Sequence, residues 1–372
     1  MRNSSLFFVT GILVLLLLTF YFGSELCSPW LYSSEEWTAC HCPRGEDFCY
    51  RLPENNSVMG ERFNCNYERI LEELGLSSES SGLNLEAENI PTPVIVTAFS
   101  DSHYNRGLKL ISSVRGHMPN QTVVVYDLGL HRVRVATLKS LCNVKYRRFS
   151  FEKYPGYVKH LHEYRWKPIL IAEALRDFGA IWYMDSSVRL KRNSLNHVHD
   201  LLRCRKKARE IANGGESVAV SRRAHTSNCS KLGYLMHSFA GHGIYAATHP
   251  DVYRFIPTNF GKLKRESSRM YEAGLVFAVW TLEVRQSLLK WSVLCALEKE
   301  CMGPVPIATN CRFGGPGRYS SYADCHRFDQ SVINILAANI VNFDYHKYTS
   351  GIVDFFIIDR NADNVSNLKL TC

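Results

Sequence analysis

The chain predicts an α/β layer fold set behind an N-terminal membrane anchor and a stem. Three observations carry this. Apolar strand-like runs alternate with segments of helical spacing from Pro93 onward, an uncharged apolar run stands near the N-terminus, and a polar Ser- and Glu-rich stretch separates the two. With 372 residues and 46% apolar composition there is ample material for a core, in one large domain or one plus a small appendage. A net charge of +9 suits an anionic ligand such as a nucleotide and equally an ordinary basic surface; it does not imply nucleic acid.

The run "LFFVTGILVLLLLTFYF", residues 6–22, is long enough to span a bilayer and is preceded by Arg2 and polar residues. Tyr21 and Phe22 crowd the place where a signal peptidase wants small residues, which favours an uncleaved anchor over a removed signal peptide. Residues 1–5 are then a cytoplasmic tail and everything past Phe22 is lumenal, a type II arrangement. So short a span suits Golgi or endoplasmic reticulum membranes.

All 13 cysteines lie beyond that anchor and none forms a paired C-x-x-C zinc pattern, so disulfides are expected. Cys40, Cys42, Cys49 and Cys65 crowd one segment, and Cys295, Cys301, Cys311 and Cys325 another. The odd residue is Cys27, beside the membrane, where it is placed to link two chains as a disulfide-bonded homodimer or to stay free. Sequons at Asn55, Asn120, Asn228 and Asn364 fall on the lumenal side. Residues 23–90 read as a cysteine-containing stem whose disulfides compensate for a small core, ending in "LSSESSGLNLEAENIPTP"; residues 91–372 form the main domain.

Within that domain "VIVTAFS" reads as a strand, "YNRGLKLISSVRGH" as a helix with Leu108, Ile111 and Val114 on one side, and "QTVVVYDLGL" as a second strand. "RVRVATLKSLC" is a further helix, and "WKPILIAEALRDFG" a longer one stopped by Gly179 before the strand "AIWYMD". Parallel strands joined by such crossovers place ligands at their carboxyl ends, where Asp101, Asp127 and Asp185 stand.

The order "TAFSDSHYNRGLKLISSV", "VVVYDLGL", "YRWKPILIAEAL" leading to "IWYMDSSVRL", and finally "RFDQSVINIL" resembles the GT-A fold nucleotide-sugar glycosyltransferases. Within them it is most similar to a nematode family of glycosyltransferase-like type II membrane proteins, and more distantly to the glycogenin type. The resemblance spans about residues 91 to 350. It implies a mixed sheet flanked by helices, with Ser100 and Asp101 beside the nucleotide and Asp185, Ser186 and Ser187 in place of a D-x-D element. Such an element holds a divalent cation, here Mn²⁺, on the diphosphate, because a hard ion with oxygen ligands neutralises the charge of the leaving group. Ser187 is neutral where the second acid is expected, so either His346 helps Asp185 and Ser187 hold the ion, or basic side chains such as Lys167 serve the phosphates without one.

The same resemblance implies that Asp329 and Gln330 of "FDQSVINIL" lie beside the donor sugar, with Asn334 completing the stretch, and that Glu272 of "RMYEAGLVFAVW" orients the acceptor hydroxyl or acts as a base. An acid at a helix start also serves as a cap. Arg165 and Lys167 are expected to reach the diphosphate. The function implied is transfer of a sugar from a nucleotide-sugar donor, a UDP-sugar, to a glycan or glycoprotein acceptor. The alternative is a catalytically inactive lumenal module that binds glycan or acts as a chaperone, since fold does not fix function.

Overall fold

The computed structural model describes residues 40–78, 81–213, 230–304, 307–314, 317–361 and 368–370. The expected tail, the anchor at 6–22, Cys27 and the sequons at Asn228 and Asn364 lie outside the described residues. Among the described residues no helix is long and apolar enough to cross a membrane.

In chain order the longer elements begin with β1 (Arg51–Leu52), β2 (Asn55–Met59), α1 (Glu68–Glu73), β3 (Val94–Phe99), α2 (Tyr104–His117), β4 (Val123–Asp127), α3 (Arg132–Ser140) and β5 (Val144–Arg148). There follow α4 (Trp166–Phe178), β6 (Ala180–Met184), β7 (Val188–Leu190), α5 (Asn196–Asn213), β8 (Tyr234–Met236), β9 (Phe239–Gly243), β10 (Arg269–Tyr271) and β11 (Leu275–Val279). The last are α6 (Lys290–Leu297), α7 (Asp329–Ile340) and β12 (Phe356–Ile358).

Six strands form the main sheet in the order β5-β4-β3-β6-β11-β8. Strands β3 to β6 are parallel, and β11 runs antiparallel to both β6 and β8, so the sheet is mixed. Strands β4 and β6 are buried along their whole length because helices cover both faces, which is why they read as unbroken apolar runs rather than alternating ones. On one face Val96, Val124, Tyr126, Ile181 and Tyr183 pack with Ile169 and Leu170 of α4, Leu294 of α6 and Ile335 of α7. On the other, Ile95, Val125 and Trp182 pack with Ile111 and Val114 of α2, and with Phe355. A β-carbon at Gly107 would fall 2.3 Å from the Phe99 ring, so glycine is what lets α2 lie this close to β3. Helix α4 ends where Gly179 takes φ +72°, which returns the chain into β6.

The cysteines pair within the two crowded segments: Cys40 with Cys49, Cys42 with Cys65, Cys295 with Cys301 and Cys311 with Cys325. The boundary expected at residue 90 is not a boundary of packing. Phe48, Phe63, Leu71 and Leu76 are fully buried in the same core as α4, α6 and α7, and Phe63 stacks on Phe255 with ring centroids 5.2 Å apart. From Cys40 to Leu76 the chain is therefore part of the domain, because its aromatic side chains find their burial against residues 250–291 instead of against one another.

Candidate active site

Asp185 follows β6 at the carboxyl end of the parallel strands. Its backbone N–H donates to Gly274 O at 2.7 Å, which continues the β6–β11 register past Leu275↔Met184. Tyr183, two residues earlier and on the same side of the strand, donates its hydroxyl to Asp185 Oδ1 at 2.6 Å. Burial, and next Asp185, push the Tyr183 phenol well above its usual range, so it remains a donor. A β-carbon at Gly274 would meet Asp185 Oδ2 at 2.9 Å, so a larger residue there would push the carboxylate from its present position.

The ammonium of Lys167 joins this acid to a second one. It lies 3.3 Å from Asp185 Oδ1 and 3.0 Å from Asp329 Oδ2, the latter a contact of charges rather than a well-aligned hydrogen bond. Its side chain is 5% exposed, against 10% for Asp329 and 33% for Asp185. The rings of Tyr164 and Tyr183 wall it in at 4.9 and 5.4 Å. Burial pulls the ammonium down, but Asp185 and then Asp329 more than offset this and hold it above the ordinary lysine range. Asp329 moves up, chiefly through burial; Lys167 opposes that shift and Asp185 adds to it.

Local backbone sets both Lys167 and Asp329. Tyr164 takes a left-handed conformation, φ 54°, immediately before the segment that opens α4. Phe328 has φ 47° and ψ −116°, a sparsely populated combination for a residue with a side chain, and it turns the chain so that α7 opens on Asp329 beneath the lysine. The next side chain, Gln330, is 7% exposed and its Nε2 is buried with no hydrogen-bond partner among the described residues. Glu272 is half-buried just before β11, its N–H donating to Ser238 O at 2.9 Å. Burial pushes its carboxyl up, the charges of Arg360 and Arg327 draw it back, and Asp185 raises it again. The cavity beneath Lys167 and Asp329 measures only about 10 Å³ and is lined also by Tyr234 and Ser292. It is too small for a substrate; the exposed side of the cluster is that of Asp185.

The structure thus brings Lys167, Asp185 and Asp329 into contact and sets Gln330 and Glu272 close by. Other residues expected in the site are engaged elsewhere. Arg165 is fully buried and its guanidinium donates to the carbonyls of Ala296, Glu298, Lys299 and Gly303, at 2.8 to 3.2 Å, and to Glu163. It fastens the chain after α6 and has no donor left for a diphosphate. Asn334 is likewise closed: its Oδ1 accepts from Tyr271 N and its Nδ2 donates to the carbonyls of Tyr271 and Gln330, each at 2.8 Å, so it ties β10 to α7. Asp101 accepts from His131 N at 2.8 Å and pairs with Arg134, while Ser100 shares a hydroxyl contact with Ser102. Asp127 binds the N–H groups of Gly129 and Leu130 in its own turn.

A cation cage is not assembled. His346 is exposed, its ring against Tyr345 at 4.1 Å, and its carbonyl accepts from Lys231; none of its hydrogen bonds among the described residues reaches Asp185 or Ser187. Among the described residues the one cluster of three metal-ligating groups is Cys40, Asp47 and Cys49, whose two thiols form a disulfide. The carboxylate of Asp185 is shared with a tyrosine hydroxyl and an ammonium, and of the other expected cation ligands only Ser187 stands near it in sequence. Tyr183 is not among the expected site residues; its signal is the two-residue offset from Asp185 on one strand.

A family profile described as a protein of unknown function, DUF1647, matches residues 39–172, a region that starts at the cysteine-rich segment and runs on into α4. No curated protein sequence matches the chain. Among solved structures the chain is similar to the WbbM bifunctional glycosyltransferase in its apo form (12% identity, 73% of this chain, TM-score 0.37). It is also similar to the galactosyltransferase LgtC in complex with donor and acceptor sugar analogs (14%, 54%, TM-score 0.29), and to mouse xyloside xylosyltransferase 1 in its apo form (11%, 68%, TM-score 0.37). The chain spans 41% of the WbbM chain, 59% of the LgtC chain and 83% of the mouse enzyme. Likeness at this level bears on no residue of the site.

Proposed function

We propose that the chain is a GT-A type glycosyltransferase that moves a sugar from a UDP-sugar to a glycan or glycoprotein acceptor. The observation that carries the reading is the Asp185–Lys167–Asp329 cluster, set at the carboxyl ends of the parallel strands and open on the Asp185 side. A buried ammonium between two acids, beside a buried amide that lacks a partner, is an arrangement a core does not need and a polyhydroxylated ligand can complete. Asp329 and Gln330 then face the donor sugar. Glu272, whose carboxyl is raised by burial, is the group suited to take the proton of the acceptor hydroxyl.

The likeness to the nematode type II family, the anchor at residues 6–22 and residence in the Golgi or endoplasmic reticulum belong to this reading. So does a disulfide link between two chains through Cys27. The expectation of Mn²⁺ held by Asp185, Ser187 and His346 does not, for the reasons of geometry given above. The test is a thermal-shift screen of the purified protein against nucleotides and nucleotide-sugars, followed by turnover of the sugar that stabilises it most. Stabilisation by UDP and release of UDP in the presence of an acceptor glycan are expected. Stabilisation by glycans alone, with no response to any nucleotide, points instead to the inactive glycan-binding module.

A further inference from the structure

Ser187 stands two residues after Asp185, where a second acid is expected, and its surroundings are basic. Strand β12 pairs with β7, and beyond the pairing Asp359 N donates to Ser187 O at 2.8 Å, so the next residue, the exposed Arg360, is delivered alongside Ser187. Helix α2 runs beside β7 in the same direction: Leu190 N donates to Ser113 Oγ at 3.2 Å, and further on His117 Nδ1 lies 2.9 Å from Asn193 Oδ1. Following both elements back to their starts brings Arg106 level with Ser187. One turn after Arg106 on the same helix face, Lys109 Nζ donates to Asn361 O at 3.1 Å, which joins this face of α2 to the chain just past Arg360.

Both arginines are uncommitted. Neither forms an ion pair or a side-chain hydrogen bond among the described residues, and Arg106 Nε is buried without a partner. By contrast Arg189, the next cation along, is closed onto the carbonyls of Ser186 and Val188 and onto Asp359. Arg106 acts electrostatically on His103 and Arg189, and Arg360 on Glu272, which places the two charges beside residues that flank the cluster.

Building on the function proposed above, we propose that Arg106 and Arg360 neutralise the donor diphosphate in place of the divalent cation that an acid at position 187 would help to hold. Guanidinium forks suit paired phosphate oxygens, and a neutral Ser187 between two cations lets the anion approach.

The experiment is calorimetry of UDP binding to the full chain, once with Mn²⁺ and once with chelator, for wild type, Arg360→Gln, Arg106→Gln and Ser187→Asp, with melting curves to confirm folding. Wild-type affinity should be the same in both conditions, and each arginine variant should lose about tenfold or more, since charge-assisted hydrogen bonds to phosphate are lost. Ser187→Asp should bind more weakly even with Mn²⁺, through repulsion of the phosphates. Arg360 is exposed, so its variant keeps the test open should Arg106→Gln fail to fold. Wild-type binding that vanishes with chelator and returns with Mn²⁺, or arginine variants that bind like wild type, overturns this inference and leaves the proposed function standing. Absence of UDP binding in both conditions overturns both.

Discussion

Replacing Lys167 with methionine keeps most of the side chain's volume and removes its charge, leaving Asp329, 10% exposed, opposite Asp185 with no cation between them. Breaking a buried pair by deleting one partner costs about 3–5 kcal/mol. The lower end applies here, because Asp185 is one-third exposed and water screens its share of the repulsion. At roughly 0.6 kcal/mol per kelvin for a domain of about 300 residues, that is a fall in Tm of about 5 °C. The pH dependence has a definite sign. Asp329 has a folded pKa above its ordinary 3.8, so the folded state holds the proton more tightly and stability falls as pH rises from that value through the folded one. Without Lys167, the main influence that lowers it, this window extends upward, and the variant should recover stability relative to wild type on acidification below neutral pH. The lysine's own contribution is constant across that range, because its folded pKa lies above the ordinary 10.5. Melting curves of the single variant and of Lys167→Met combined with Asp329→Asn measure the coupling directly. The double variant should regain at least half the loss. A single variant that melts within about 1 °C of wild type, or a double variant no more stable than the single, would refute the view that the ammonium holds a buried acid in place.

Asp185→Asn should lower turnover about tenfold or more and, because it removes the acid that most offsets burial of Lys167, should also lower the melting temperature, though less than Lys167→Met does; a variant that turns over and melts normally makes Asp185 a surface acid. Arg165→Met should cost about 3 kcal/mol of stability by orphaning carbonyls of residues 296–303 with no change in UDP affinity, which calorimetry and melting curves separate. For topology, glycosidase treatment should remove glycans from the exposed Asn55 and Asn120 while a tag before Met1 remains cytoplasmic. A mature chain beginning near Glu25, read by N-terminal sequencing, contradicts the anchor.

The strands and helices that frame the site were legible because their signals are local. "VIVTAF", "VVVYD" and "AIWYM" are unbroken apolar runs, and Gly179 ends a helix in plain view. Strand β5, "VKYRR", passes unnoticed because it is a sheet edge with one aliphatic residue, where polar side chains face water. Roles of single side chains were legible only in part. Lys167 and Arg165 are indistinguishable in "YRWKP", yet two residues of helix turn one toward Asp185 and the other toward carbonyls more than a hundred residues away. Asn334 looked like part of a binding motif because it follows Asp329 and Gln330, but its partner is Tyr271, which no spacing within the motif reveals. Arg360 was invisible for the same reason: its nearness to Ser187 depends on the pairing of β12 with β7.

The packing of residues 40–76 into the main core also bears, under the proposed function, on how far the site would stand from a membrane. With the span at residues 6–22, as proposed, the tether is residues 23–39, which even fully extended reaches no more than about 60 Å. On that proposal the site would sweep a shallow layer over the bilayer. Acceptors carried on membrane proteins or lipids are within its range continuously, whereas soluble ones must diffuse to the surface to meet it.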